Sequence, residues 1–300
     1  MDPQLALDLA PGPSLVDGPF TPAMARSAGL PRAGLERMLR EGRVTRLLRG
    51  VYVGTHVALD PSVRSRAVAL VVPPDAVVVD RTAAWVHGVE VLGPHGEVLP
   101  PLEALRRASG RSSRRRHLGG RRRLVARDVG WVAGVTVTTP LRTALDLGRL
   151  LAPARAQAAV DGFLRSGLCS QAALRAELPR FARHHGIVQL RHVVALADER
   201  SASPAESVLR FHWSGSRLPS PVPGLLLGDA GLRLALGVPD QRFGVLVGAV
   251  DADRLRAASL LGWRVVPLAG HRVLHSDPEL VLGHVECEFH RHLLGQVEQG

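Results

Sequence analysis

Residues 20–53 contain a predicted helix, a glycine turn, a second helix and a hairpin, and this order constrains the fold more than any other stretch. Thr21 followed by Pro22 is typical of a helix start, because a threonine hydroxyl caps exposed amides and a proline has no amide proton to satisfy. Gly29 supplies the turn, and Gly42 is placed to end the second helix. The first helix therefore begins at Pro22.

Two short β-branched segments follow, Val44–Leu48 and residues 51–53, and they predict a hairpin. We expect these apolar side chains of the two helices to face inward: Ala23, Met24, Ala28, Leu30, Leu35, Met38 and Leu39. This order of elements predicts a winged helix-turn-helix in which the hairpin is the wing. The helix that usually precedes such a pair would have to be residues 4–9.

Arginines on this module are the predicted contacts to double-stranded DNA. They are Arg32, Arg37, Arg40, Arg43, Arg46 and Arg49. Most protein hydrogen bonds to DNA reach the backbone, so we expect Arg43, Arg46 and Arg49 to bind phosphate. For Arg32 and Arg37, contact with base edges in the major groove and a merely solvated face both stay open.

The charge distribution supports a polyanionic partner. All 38 basic residues of the 300-residue chain are arginines, and the formal net charge is +11. The first 200 residues hold 29 arginines against 17 acidic residues, whereas the last hundred hold 9 against 10. Two arginine triplets could form a second DNA contact or an exposed basic loop. They are Arg114, Arg115, Arg116, Arg121, Arg122 and Arg123.

The length and the composition shifts predict an α+β multidomain protein. We expect a winged helix at residues 1–58, a mixed α/β middle domain at 59–200 and an α/β domain at 201–300, with a linker at residues 201–204. Two cysteines are too few for a disulfide framework, and four tryptophans are expected in the core. The start of the chain carries Asp2 and Asp8 instead of a basic leader, so we expect a cytoplasmic protein without a membrane partner.

Three segments resemble the AbiE-type antitoxins of type IV toxin-antitoxin systems. The matching sequences are FTPAMARSAGLPR with RGVYV, RTAAWVHGVEV and GVTVTTPLRTALDLGRL. In that family an N-terminal winged helix binds operator DNA and represses its own operon. The resemblance therefore implies a DNA-binding regulator and, as a partner, a toxin protein.

Two further segments resemble the very-short-patch-repair-like endonucleases of the PD-(D/E)XK fold. They are SASPAESVLRF and DADRLRAASLLGWRVVPL. This resemblance implies a restriction-endonuclease-like domain with two acidic residues that hold Mg²⁺. Ala235 and Leu246 stand where those acids are expected, and neither side chain can bind a cation. We therefore expect a degenerate domain with no cofactor.

Glu206 is the remaining catalytic candidate, although the sequence SPAE also favours a capping box in which this glutamate bonds back to the cap. The combined prediction is an inactive nuclease-like domain behind a DNA-binding regulator. Two alternatives stay open, an active Mg²⁺-dependent endonuclease and a protein-interaction scaffold. The nuclease would need ligands shifted to Asp229, Asp240, Asp251 or Asp253.

Histidines at helical spacing near the end of the chain raise the question of a metal site. His284, Glu288 and His292 share one helix face, and two ligands at this spacing can share a zinc ion. A polar helix face explains them equally well, so we predict no metal site. The sequence does not specify an oligomeric state.

Overall fold

The computed structural model describes residues 13–92, 102–106, 124–228, 231–249 and 252–297. The chain divides into two compact units, Met1–Thr143 and Ala144–Gly300. The boundaries predicted at residues 58 and 200 stay predictions about independent domains. The helix predicted at residues 4–9 lies outside the described residues.

The first unit opens with a short helix that the sequence did not predict, α1 Pro13–Val16. The predicted succession of helices and strands follows, with bounds α2 Pro22–Ser27, α3 Arg32–Arg40, β1 Val44–Leu48 and β2 Val51–Gly54. The two strands pair antiparallel, and Phe20 forms an antiparallel β-bridge with Tyr52 on the other edge of β2. We call residues 20–54 the N-terminal module.

Local chemistry explains where the first helices of this module begin and end. The Thr21 hydroxyl accepts a hydrogen bond from the Met24 amide at 3.3 Å, as expected for an N-cap. Gly29 and Gly42 have φ of +84° and +67°, a backbone conformation that glycine adopts without strain. The predicted inward face of α2 is wrong, because Met24 is exposed and Ala25 is the buried residue of that helix.

A compact apolar cluster holds the module together. Its buried members are Phe20, Ala25, Leu30, Leu35, Met38 and Val44. Leu35 and Met38 come from α3, which confirms the inward face predicted for the second helix. Since one side of α3 is fixed in this cluster, its opposite side is held toward solvent.

The rest of the first unit is a small sheet with helices. The elements are α4 Pro61–Ala69, β3 Ala76–Val78, α5 Asp80–Val86, β4 Ala104–Arg106, β5 Val129–Val132 and β6 Val135–Thr138. The strand order is β4-β3-β6-β5, with β3 and β6 parallel and the outer pairs antiparallel. Val78 and Val137, opposite each other in this sheet, belong to the same apolar cluster as Trp85 of α5. Trp131 on the edge strand β5 is 69% exposed, so the prediction that it lies in the core is wrong.

Buried polar groups stabilise this sheet and its helices. Arg142 and Asp128 form an ion pair at 2.7 Å with side chains only 4% and 2% exposed. The Nε2 atom of His87 on α5 lies 2.7 Å from the Thr138 carbonyl oxygen of β6. Because a carbonyl oxygen can only accept, Nε2 carries the proton in this contact.

The second unit begins with helices and ends with an α/β layer. After α6 Pro140–Leu150, which spans the division, the helices are α7 Pro153–Arg165, α8 Gln171–Glu177, α9 Ile187–Leu196 and α10 Pro204–Ser214. Ser170 and Ser203 cap α8 and α10 through their hydroxyl groups. The predicted linker at residues 201–204 is densely contacted, since Ser201 is fully buried and the Arg210 guanidinium of α10 pairs with Asp161 of α7.

An α/β layer, as predicted in general terms for residues 201–300, follows α10. Its elements are β7 Val222–Pro223, β8 Leu226–Leu227, β9 Leu232–Arg233, β10 Leu236–Val238, β11 Phe243–Val247, α11 Ala252–Leu260, β12 Arg264–Leu268, α12 Gly270–His275 and α13 Pro278–Val297. Strands β12-β11-β10-β7 form one sheet, in which β11 and β12 are parallel and are joined through α11. The short strands β8 and β9 form a separate hairpin.

Candidate nucleic-acid interface

The outward side of α3 carries the predicted arginines of the second helix. The Arg32 side chain is 88% exposed and that of Arg37 is 42% exposed, and Arg40 is exposed as well. The helix starts without a side-chain cap on its amides, and its first turn contains no acidic residue. Amides at such an end point outward with partial positive charge, which suits an anion.

The arginines of the hairpin and its turn are also exposed, and buried residues of β1 beside them anchor the hairpin. Val44, Leu47 and Leu48 are buried, whereas Arg43, Arg46 and Arg49 are exposed. Gly50, with φ of +80°, allows the tight turn that places Arg49 at the tip. The Thr55 hydroxyl donates to the Gly42 carbonyl at 2.9 Å and ties the end of the hairpin to its start.

Two glutamates interrupt this cationic surface. Glu36 accepts a hydrogen bond from the Arg32 Nε at 2.8 Å, and the contact raises the pKa of the Arg32 guanidinium. Glu41 lies 3.9 Å from Arg37 and 3.7 Å from Arg43, so it joins the end of α3 to the start of β1. Exposed pairs of this kind contribute little to stability. The 2.8 Å contact between Arg32 and Glu36 is a hydrogen bond, which orients these two side chains relative to each other.

Sequence reasoning missed residues beside this surface. A cavity of about 310 Å³ runs along α3, and its lining residues are Pro22, Ala25, Arg26, Leu30, Arg32, Leu35, Glu36, Leu39 and Tyr52. Arg26 is exposed at the last turn of α2 and adds a seventh arginine to the module. The charge of Arg26 is visible in the sequence. The position of Tyr52 beside α3 depends on packing between β2 and this helix, which the helical periodicity of α3 does not specify.

The second predicted DNA contact cannot be placed in the structure. Arg114, Arg115, Arg116, Arg121, Arg122 and Arg123 lie outside the described residues. They fall between β4 and β5 in the chain, the two strands at the edges of the four-stranded sheet. The arginine triplets therefore stay a prediction from charge alone.

Glu206, the predicted catalytic candidate, is engaged by protein groups. Its side chain is 6% exposed and lies 2.7 Å and 3.0 Å from two nitrogens of Arg233. Its amide donates to the Ser203 hydroxyl at 3.2 Å, which matches half of the predicted capping box. The Glu206 carboxylate accepts a hydrogen bond from the Ala202 amide at 2.8 Å, whereas a capping box would use the Ser203 amide. A guanidinium thus neutralises this carboxylate.

The residues that stand where metal-binding acids were expected are apolar and buried. Ala235 and Leu246 are each 2% exposed. Of the acids that could replace them, Asp240 and Asp253 are exposed, and Asp229 and Asp251 lie outside the described residues.

The predicted polar face of α13 is engaged by other protein groups. Glu288 binds Arg264 at 2.6 Å and also pairs with Arg291, while the His292 ring lies 2.7 Å from the Gln241 carbonyl oxygen. The hydrogen bond and charge of Arg264 lower the pKa of Glu288. Across the part of the chain that the structure describes, no group of three His, Cys, Asp or Glu residues is arranged to hold a metal ion. No helix within that same part is both long and apolar enough for a membrane span.

Comparison with known families finds AbiEi antitoxin domains in two stretches of the chain. Residues 15–53 match the family model described as transcriptional regulator, AbiEi antitoxin, and this stretch contains all six arginines predicted to contact DNA. Residues 76–196 match the model described as AbiEi antitoxin C-terminal domain. Two uncharacterized proteins from two strains of Mycobacterium tuberculosis are each 28% identical over 254 residues, which cover 79% of this chain and 89% of theirs.

Proposed function

We propose that this protein is an antitoxin-like transcriptional regulator that binds duplex DNA through its N-terminal module. The module would act as a winged helix-turn-helix, with α3 in the major groove and the β1–β2 hairpin against the backbone. The observation that carries this proposal is the exposed arginine surface on α3 and the hairpin, within the stretch that matches an AbiEi transcriptional regulator.

The electrostatics favour phosphate as the main ligand of this surface. The module holds seven arginines and two glutamates, and the N-terminal amides of α3 have no side-chain cap. Arginines that replace condensed counterions give affinity that falls steeply with salt concentration. Base contacts from α3 would add sequence preference to this nonspecific attraction.

A footprint on the DNA upstream of the protein's own gene tests the proposal. We expect protection by the wild type and its loss in the double variant Arg32→Ala, Arg37→Ala. The matched control is Arg175→Ala, Arg191→Ala, which removes two exposed arginines of the second unit. Protection that persists in the first variant, or is lost equally in the control, would overturn the assignment of α3.

Residues 201–300 contain the region in which a nuclease site was considered. The relation of this region to PD-(D/E)XK nucleases stays a prediction, and the Arg233 contact to Glu206 favours a structural role for that carboxylate. We propose that the region is catalytically inactive and needs no Mg²⁺. Incubation of the purified protein with supercoiled plasmid and Mg²⁺ or Mn²⁺ should leave the plasmid intact, whereas Glu206-dependent nicking would support the nuclease alternative.

A toxin partner belongs to the same proposal, since antitoxin domains are detected in the chain. Expression of the protein should rescue growth of cells that carry the toxic product of a neighbouring gene. The scaffold alternative instead predicts a copurifying protein that stays bound when residues 1–60 are deleted. Absence of rescue by the full-length protein would contradict the toxin partner.

A further inference from the structure

Glu36 occupies an unusual place for an acidic residue on a surface proposed to face DNA. Successive residues of an α-helix turn by about 100°. Gly34, Leu35 and Met38 form the buried side of α3, so Glu36 lies close to the opposite, outermost direction of the helix. Its side chain is 57% exposed, and its neighbour one turn further along the outer face is Arg40.

Helix stability alone gives a poor explanation of the Arg32–Glu36 pair. An exposed pair of this spacing stabilises a helix better when the acid precedes the base, and here the arginine comes first. Arg32 is also the first residue of α3, where its charge meets the positive end of the helix dipole. The pair is therefore in the weaker orientation at the unfavourable end.

A carboxylate on this face is repelled by phosphate, so its binding partner on DNA must be a hydrogen-bond donor. In the major groove only the N4 amine of cytosine and the N6 amine of adenine donate, and the adenine amine is flanked by the N7 acceptor. We propose that Glu36 is a specificity-determining residue that accepts a hydrogen bond from the N4 amine of a cytosine. This inference rests on the proposed DNA-binding function.

Arg32 positions the carboxylate for this contact. Its Nε donates to a Glu36 carboxylate oxygen at 2.8 Å, which leaves the other carboxylate oxygen available to a base. A guanidinium has five donor hydrogens in a planar fork, so its remaining donors can reach a neighbouring guanine or a phosphate. The pair thus presents an acceptor and donors side by side on the outer face of α3.

Selection of binding sites from a randomised duplex library tests the inference. The wild type should enrich sites with cytosine at one position, and Glu36→Gln should reduce the preference for cytosine there by roughly 5- to 150-fold. Preferences at positions well separated from this cytosine should stay within about twofold of the wild type, because distant base pairs of a site contribute nearly independently. The adjacent position, which Arg32 can reach, is left out of this comparison because Arg32 loses its partner in the variant. Glu36→Asp keeps the charge but shortens the reach, so it should also lose the preference.

Glu41→Gln is the matched control, because it removes the same charge from the module at a residue just beyond α3. We expect it to tighten binding to all sequences alike and to keep the cytosine preference. Thermal unfolding of each variant checks that the fold is retained, as expected for exposed side chains.

Two results would overturn the inference, and they differ in what else they affect. If Glu36→Gln tightens binding to all sequences equally and keeps every base preference, Glu36 does not contact a base. The proposed DNA-binding function would still stand. If the wild type enriches no duplex sequence at all, sequence-specific binding fails together with the inference.

Discussion

Arginines of the N-terminal module differ in exposure and in ion-pair partners from arginines in the interior of the second unit. In the module, the side chains of Arg32, Arg37 and Arg43 are 88%, 42% and 52% exposed, and their partners are surface glutamates. In the second unit, Arg149 and Arg210 are 7% and 8% exposed and pair with Asp146 and Asp161, which are 2% and 0% exposed. The exposed arginines can reach a polyanion, whereas the buried arginines are paired with aspartates inside the protein.

This difference shows why net charge is an incomplete guide to a binding surface. An exposed ion pair contributes little to the stability of the fold. When one partner of a buried pair is removed, the remaining charge is buried without compensation and destabilises the protein. The sequence shows the same residue type in both places. Substitutions at the two sites should therefore separate cleanly into effects on DNA affinity and effects on stability.

The largest expected stability effect is at Asp161. Asp161→Ala would leave the Arg210 guanidinium buried without its carboxylate, and it would also remove acceptors used by Gln157 and the Asp198 amide. We expect a loss of about 3–5 kcal/mol in the free energy of unfolding, measured by urea denaturation. A loss below 1 kcal/mol would mean that burial does not distinguish the two groups of arginines.

An intermediate effect is expected at Arg233, whose side chain is 32% exposed while its partner Glu206 is 6% exposed. Arg233→Ala should cost about 1–3 kcal/mol, because it leaves a buried carboxylate with fewer donors. The control is Asp198→Asn at the more exposed pair with Arg200, for which we expect less than 1 kcal/mol. Equal losses in the two variants would contradict a graded dependence on exposure.

A smaller effect is expected at the helix cap of the module. Thr21→Ala removes the acceptor for the Met24 amide and should destabilise the protein by about 1 kcal/mol. Thr45→Ala on the exposed side of β1 is the control, with a change within about 0.5 kcal/mol. Urea denaturation of both variants measures the difference, and identical midpoints would argue against the cap.

The smallest expected effect concerns pH. Burial lowers the pKa of His87, and the hydrogen bond to Thr138 opposes this only in part. The unfolded chain therefore binds a proton at His87 more tightly than the folded protein does. The contribution of neutral His87 to the free energy of unfolding is complete above about pH 6.5 and is lost progressively as the pH falls below that value. His87→Gln should reduce this decline, whereas the exposed control His56→Gln should keep it.

The elements of the N-terminal module could be predicted from local chemistry to a large extent. Thr21 and Pro22 start α2, and Gly29 makes the turn. The strands follow at residues 44–48 and 51–54, the second one residue longer than predicted. These features depend on residues close together in the chain. Capping, proline geometry and left-handed glycines leave a clear signature in a single sequence.

Contacts between distant residues could not be predicted in the same way. The pairing of Asp161 with Arg210 and of Glu206 with Arg233 depends on packing between elements that are far apart in sequence. Trp131, expected in the core, is exposed because it lies on an edge strand of its sheet. Composition and periodicity do not specify which strand ends up at the edge or which arginine meets which acid.

The salt dependence of DNA affinity tests the central claim most directly. Affinity for the upstream duplex should be measured across salt concentrations for the wild type and for the triple variant Arg43→Ala, Arg46→Ala, Arg49→Ala. If these arginines bind phosphate, the slope of log affinity against log salt should fall in magnitude by roughly 0.9 for each lost contact. An unchanged slope and affinity in the triple variant would contradict a DNA interface on the N-terminal module.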